Sequence, residues 1–262
     1  MTQKNETAYN IQLSTGLGLL EETRSLLDLW EHGMSPSALH GAALLSGRFP
    51  SITARRLLNI VNGCFAPRYL VRDGIPATHL KILKNRLLTN ELIQFYLLFT
   101  CRANPILNDF IRQIYWERYG SGYTEISNLD AESFIRRAIA DGKVQKHWAE
   151  KTIKNVAGYL TGCCADYGLL ERGQKTIRRI LPFRISLPMA CYLAHELHFS
   201  GMGDNAVLSH QDWQIYGLEA DDVREEFKRL ALKGYFILQS AGDVTRISWK
   251  HKTMEELCDV LA

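Results

Sequence analysis

"TIKNVAGYLTGCCADYGLLERGQKTIRRI", residues 152–180, changes its periodicity partway along, and that change decides how the chain is read. Up to Tyr167 the apolar side chains recur at helical spacing. With Ile153 as reference, Val156, Leu160, Cys164 and Tyr167 gather on one side. Past Gly168 the pattern becomes a short apolar strand, a polar turn and another strand. "DDVREEFKRLALKGYFILQSAGDVTRISW" (221–249) repeats the plan. Val223, Phe227, Leu230 and Ala231 form its core stripe, Gly234 closes the helix and "SAGD" (240–243) makes the turn. Each copy follows upstream helical sequence, at 129–142 and 187–201. A helix followed by a two-stranded wing is the winged-helix plan. The expected fold is therefore mainly α with small β-wings: a helical N-terminal domain with a helix-turn-helix, then two winged-helix-like units.

Working outward, helix signals fill the first half. Glu21 and Glu22 suit a first helical turn, Leu19, Leu26, Leu27 and Trp30 share a face, and Gly33 is a stop. Ser35 reads as an N-cap with Pro36 at the first helical position, and that helix ends at Gly47. The next restarts after Pro50 with Ser51 as its expected cap. Two short helices around a glycine turn have helix-turn-helix grammar. Further helices are expected near 76–88, 90–102 and 105–118, before the Gly/Ser/Thr-rich loop 119–127. The domains read as 1–125 (helical), 126–186 (basic winged unit) and 187–262 (acidic winged unit).

Hydrophobic content of 46% and charged content of 23% describe an ordinary globular chain with a real core. The six cysteines show no CxxC pair and fit a reducing compartment. "MTQKNETAYN" has no apolar stretch after its charges, so no signal peptide is expected. The window 87–101 is too short and polar to cross a bilayer. A cytoplasmic protein without membrane contact follows. The net charge of +3 is uneven, at +3 over 1–125, +4 over 126–200 and −4 over 201–262. Such asymmetry suggests one part facing a polyanion and another facing something else.

The basic part is concentrated. Arg172, Lys175, Arg178, Arg179 and Arg184 crowd residues 167–185 against one acid, Glu171. Like charges on paired strands repel unless an anion binds there. On the preceding helix, read from about Lys146, residues His147, Lys151, Lys154, Asn155 and Gly158 fall opposite the apolar stripe. Cations near a helix N-terminus oppose the macrodipole, and a phosphate reverses that penalty. Outward Gly158 permits close approach by a backbone. Lys146, Lys151, Lys154, Asn155, Arg172, Lys175, Arg178 and Arg179 are thus candidate DNA contacts. In the N-terminal helix-turn-helix, Thr53, Arg55, Arg56 and Asn59 lie where Arg reads guanine and Asn adenine. Lys81, Lys84 and Arg86 read as a solvated helix face. The second winged unit opens with Glu219, Asp221, Asp222, Glu225 and Glu226, which repel phosphate, with Lys228 and Arg246 its minor cations.

Catalytic signatures are missing. "TGLGLL" (15–20) lacks the GK[ST] of a phosphate loop, "HELH" (195–198) is not HExxH, and there is no GxSxG. No enzyme activity, cofactor or metal is expected.

"YNIQLSTGLGLLEETRSLLDLWEHG" (9–33) and "NPILNDFIRQIYWERYGSG" (104–122) resemble the BrxA family of the BREX bacteriophage-exclusion systems. The resemblance implies a cytoplasmic defence protein of helix-turn-helix-like domains, able to bind double-stranded DNA, with other BREX proteins as partners. A suggested similarity of the family to a helical RNA-binding antitermination factor keeps RNA open as a ligand. The alternative class is a structural adaptor, for which the acidic final unit and Tyr115, Trp116 and Tyr119 speak.

Overall fold

The computed structural model describes residues 8–241 and 244–261. The opening residues 1–7, on which the signal-peptide reading rests, and the tip of the "SAGD" turn lie outside that range. Helices α1 (Leu20–Leu29), α2 (Pro36–Leu45), α3 (Ala54–Ile60), α4 (Ala66–Tyr69), α5 (Ile75–Leu83), α6 (Thr89–Ala103), α7 (Pro105–Phe110) and α8 (Trp116–Gly120) come first. Strand β1 (Glu125–Ser127), α9 (Asn128–Ala140), α10 (Glu150–Asp166) and β2 (Ile177–Arg179) follow. Then come α11 (Leu187–Phe199), α12 (Asp204–Leu208), α13 (Ala220–Leu232), β3 (Phe236–Ala241), β4 (Val244–Trp249) and α14 (Met254–Val260). The protein is mainly helical, with two small antiparallel sheets, β1–β2 and β3–β4, among the described residues.

Local chemistry sets several boundaries. Ser35 caps α2, its Oγ accepting from the Ala38 amide at 3.2 Å with Pro36 in the first turn. The cap of α3 is Thr53 rather than Ser51, because Phe49–Ile52 first closes a turn. Thr53 Oγ1 takes the Arg56 amide at 3.2 Å. Between α3 and α4 the helix widens into a π turn, Val61–Phe65. Pro67 has no amide hydrogen for the carbonyl four residues back, and the Ala66 amide reaches five residues back to Val61.

The chain forms two compact units: residues up to Ala77 with Tyr96–Phe183, and Thr78–Phe95 with Arg184–Ala262. The expected division at 125/126 lies inside the first unit, and that at 186/187 lies close to the Phe183/Arg184 break.

In the first unit, Ser127 and Asp130 form a reciprocal capping box that starts α9 where β1 stops. α9 buries Ala131, Phe134, Ile135 and Ala138, and α10, packed against it, buries Ile153, Val156, Leu160 and Cys164. The helical stripe read from the sequence is the stripe in the core. β2 pairs with β1 in the register Glu125↔Arg179, Ile126↔Arg178 and Ser127↔Ile177. The expected hairpin partner, the segment after Gly168, contributes an isolated bridge, Leu170↔Ile180. The order strand–helix–helix–bridge–strand therefore replaces a simple two-stranded wing.

In the second unit α13 leads into a true hairpin, with Phe236↔Trp249 and Leu238↔Ile247 in register. Asp204 secures the outer edge of β4, accepting from the Ile247 amide at 2.8 Å and Trp249 Nε1 at 3.3 Å.

Candidate nucleic-acid interface

Helix α10 opens at Glu150 with Ala149 as an N-cap that offers no side-chain bond, so Lys146 and His147 precede the helix. Lys151, Lys154 and Asn155 are exposed and Gly158 is half-buried; spacing places all four on the face opposite Ile153 and Leu160. Among the described residues Lys146 and Lys151 have no hydrogen-bonding or ion-pair partner, and Lys154 interacts electrostatically with Glu150. A Cβ on Gly158 would meet only Asn128 Nδ2, at 3.9 Å. Packing within the chain does not require that glycine.

The first turn of α10 is not free of acid. Glu150 occupies it, and Arg136 of α9 grips both carboxylate oxygens at 2.8 and 2.6 Å. That hydrogen-bonded guanidinium holds the Glu150 carboxyl below its usual range. The dipole preference at this terminus is met by an acid whose charge is balanced from the neighbouring helix.

The basic hairpin resolves differently from its sequence. Arg178 is a correction: it is 7% exposed and faces inward opposite Ile126, while Ile177 is 53% exposed. Its Nη1 donates to the Glu171 carbonyl at 3.0 Å, which ties down the turn. The apolar alternation fails here because this cation, tied at Nη1 to a main-chain oxygen while its Nε is buried without a partner, takes the inward position. Lys175 pairs with Glu171 at 2.7 Å and draws that carboxyl below its usual range. Arg172 donates to the Asp166 carbonyl at 3.2 Å. Arg179 stays exposed, opposite Glu125 and near Glu171. In the second unit Arg184 meets Glu226 at 3.3 Å. The crowding is thus largely relieved within the protein, and α10 carries the less compensated face.

In α3, Arg55 and Asn59 are exposed, whereas Arg56 Nη1 turns back to the Thr15 carbonyl. Lys84 is a second correction: it is 5% exposed, not part of a solvated face, and Arg86 pairs with Asp259 at 2.9 Å. A signal overlooked in the sequence is the acid-free run from His32 to Arg72, which contains no Asp or Glu.

The glycine-rich "TGLGLL" is a clamped turn. Buried Arg68 donates to the Gly16 and Leu17 carbonyls, both at 2.8 Å, and the Gly18 amide donates to Asp166 Oδ2 at 2.9 Å. A Cβ on Gly18 would fall 2.6 Å from the Asp166 Cβ. In "HELH", His195 Nδ1 donates to the Cys191 carbonyl at 2.8 Å and His198 stacks on Trp249 at 4.3 Å. No group of His, Cys, Asp or Glu suited to a metal occurs among the described residues. All six cysteines are buried and unbridged, and burial pushes the Cys163 and Cys258 thiols up to about 12. Tyr115 is fully buried and Trp116 packs edge-on to it at 4.9 Å, so those rings serve the core first.

The sequence model of the BrxA family matches residues 7–196. The chain belongs to the BrxA family. Its place is accordingly in the BREX phage-defence system, with other BREX proteins as plausible partners. The BrxA match takes in α3, α9, α10 and β2 and ends within α11, ahead of the acidic helix α13. No curated protein sequence matches this BrxA-family chain. Among its described residues no helix is long and apolar enough to cross a membrane.

Proposed function

We propose that this chain is a non-enzymatic double-stranded-DNA-binding component of the BREX system, working in the cytoplasm and holding duplex mainly by its phosphates. The observation that carries this reading is the outward face of α10. Lys151, Lys154, Asn155 and Gly158 line it, Lys146 lies just upstream, and nothing in the core requires the glycine. Lysines serve phosphates as mobile point charges, which suits binding without strong sequence demands. The strand–helix–helix–bridge–strand order behind this face is what a winged helix would use to present α10 to a groove.

A salt-titrated mobility shift with Lys146, Lys151 and Lys154 all changed to Glu is the test. The parent should lose affinity steeply with salt, at a log–log slope of about −0.9 per neutralised phosphate. The triple variant should lose the shift at all salt concentrations and unfold at the parent's temperature. Equal binding by parent and variant would remove this face from consideration. Arg178 has no place in such a variant, because it is buried.

An adaptor role is the second reading. On α2 the adjacent Leu44 and Leu45, at 46% and 91% exposure, leave apolar surface uncovered that a protein partner would bury. Recovery of BREX proteins from nuclease-treated lysate, with no mobility shift at low salt, would favour it. Competition among duplex, single-stranded DNA and structured RNA ranks the nucleic-acid ligands.

A further inference from the structure

Helix α3 presents a surface unlike that of α10. Arg55, Leu58 and Asn59 are exposed, and so is Asn62, in the π turn that continues the helix. Their spacing makes one outward stripe, with Leu57, Ile60 and Val61 buried opposite. Arg56 is excluded from the stripe by its bond to the Thr15 carbonyl. His40 of α2 donates from Nε2 to the Ala54 carbonyl at 3.2 Å, bracing the start of α3 against its partner helix. The surrounding sequence, His32 to Arg72, carries no acid that would repel phosphates at a groove's edge.

We propose that this stripe enters the major groove of duplex DNA and reads base edges. Arg55 suits a guanine, Asn59 and Asn62 suit adenines, and Leu58, at 38% exposure, suits a thymine methyl. An acidic partner helix would use Arg55 and Leu58 and accept from the two amide nitrogens, but its acceptor-only carboxylates would leave both amide oxygens without a donor. The adenine edge supplies one acceptor and one donor to each. The inference rests on the duplex-binding reading and adds sequence preference, which the α10 lysines do not supply.

Selection of bound sites from randomised duplexes, with the full chain at physiological salt, tests it. The parent should select a short consensus. Asn59→Ala and Asn62→Ala, which alter no charge, should each relax one base-pair position by about five- to a hundredfold. Arg55→Ala should relax a third. Binding to random-sequence DNA and the melting temperature should stay at parent values for the two Asn variants. Lys146, Lys151 and Lys154 changes should instead weaken all sequences alike.

Duplex binding without any consensus overturns the inference and leaves the phosphate reading standing. A consensus unchanged by the α3 variants also overturns it, including the case in which those variants lose a protein partner instead. No duplex binding by the parent defeats both readings together.

Discussion

Arg136 on α9 holds Glu150 on α10 through two parallel hydrogen bonds of 2.8 and 2.6 Å. The pair sits at the start of the face proposed to meet DNA, so it is in direct competition with phosphate for Arg136. Glu150→Gln would leave that guanidinium only its weaker 3.7 Å contact with Glu132 and remove a like charge from the approach path. Tighter duplex binding at low salt is the expected result, with the gain fading as salt rises. Mobility shifts at two salt concentrations check it; weaker binding would mean that the pair positions the face.

Gly158 separates stability from binding. Gly158→Ala meets no obstacle inside the protein, since the nearest side-chain atom would be 3.9 Å away. Helix propensity then favours the variant by about 0.5–1 kcal/mol. Calorimetry should show a higher melting temperature while duplex affinity falls, because the added methyl stands where a sugar-phosphate backbone would approach.

Arg178 should behave as a core residue. Removing its guanidinium leaves the Glu171 carbonyl without its 3.0 Å donor and opens space beside Cys164. Arg178→Ala should cost about 1–3 kcal/mol in denaturant unfolding. A variant that keeps full stability would show the inward placement to be unimportant.

His195 gives the second unit an acid sensitivity. Burial lowers its pKa from 6.5 to about 4, helped by nearby His251 and His198 and opposed by the Cys191 carbonyl. The unfolded chain therefore binds the proton more readily, and stability rises with pH. The contribution is complete above the unfolded value and falls away between about pH 6.5 and 4, by about 3 kcal/mol in all. Melting temperatures from pH 7.5 to 5 should fall for the parent and fall less for His195→Phe.

Legibility in the sequence followed the physics of each element. The α10 stripe was readable because one buried face imposes a 3.6-residue period from Ile153 to Tyr167. Arg178 was not, because a strand position filled by a cation depends on a carbonyl supplied by a turn. Nothing local announces that acceptor. Arg55 and Arg56 are neighbours in sequence but point about 100° apart on a helix, so only the fold separates an outward side chain from one turned back to Thr15. Glu150 was visible as a letter, but its pairing with Arg136 crosses from one helix to the next, whereas the Glu171–Lys175 pair, four residues apart, was within reach of the sequence. The acid-free run from His32 was also visible, and asked only for a count of charges in the first half.

The Arg68 clamp carries an evolutionary corollary. A guanidinium sealed in the interior is tolerable only while Gly16 and Leu17 lend it their oxygens. Relatives in which this stretch is lengthened, so that the turn no longer presents those two oxygens, should have exchanged the arginine for an apolar residue.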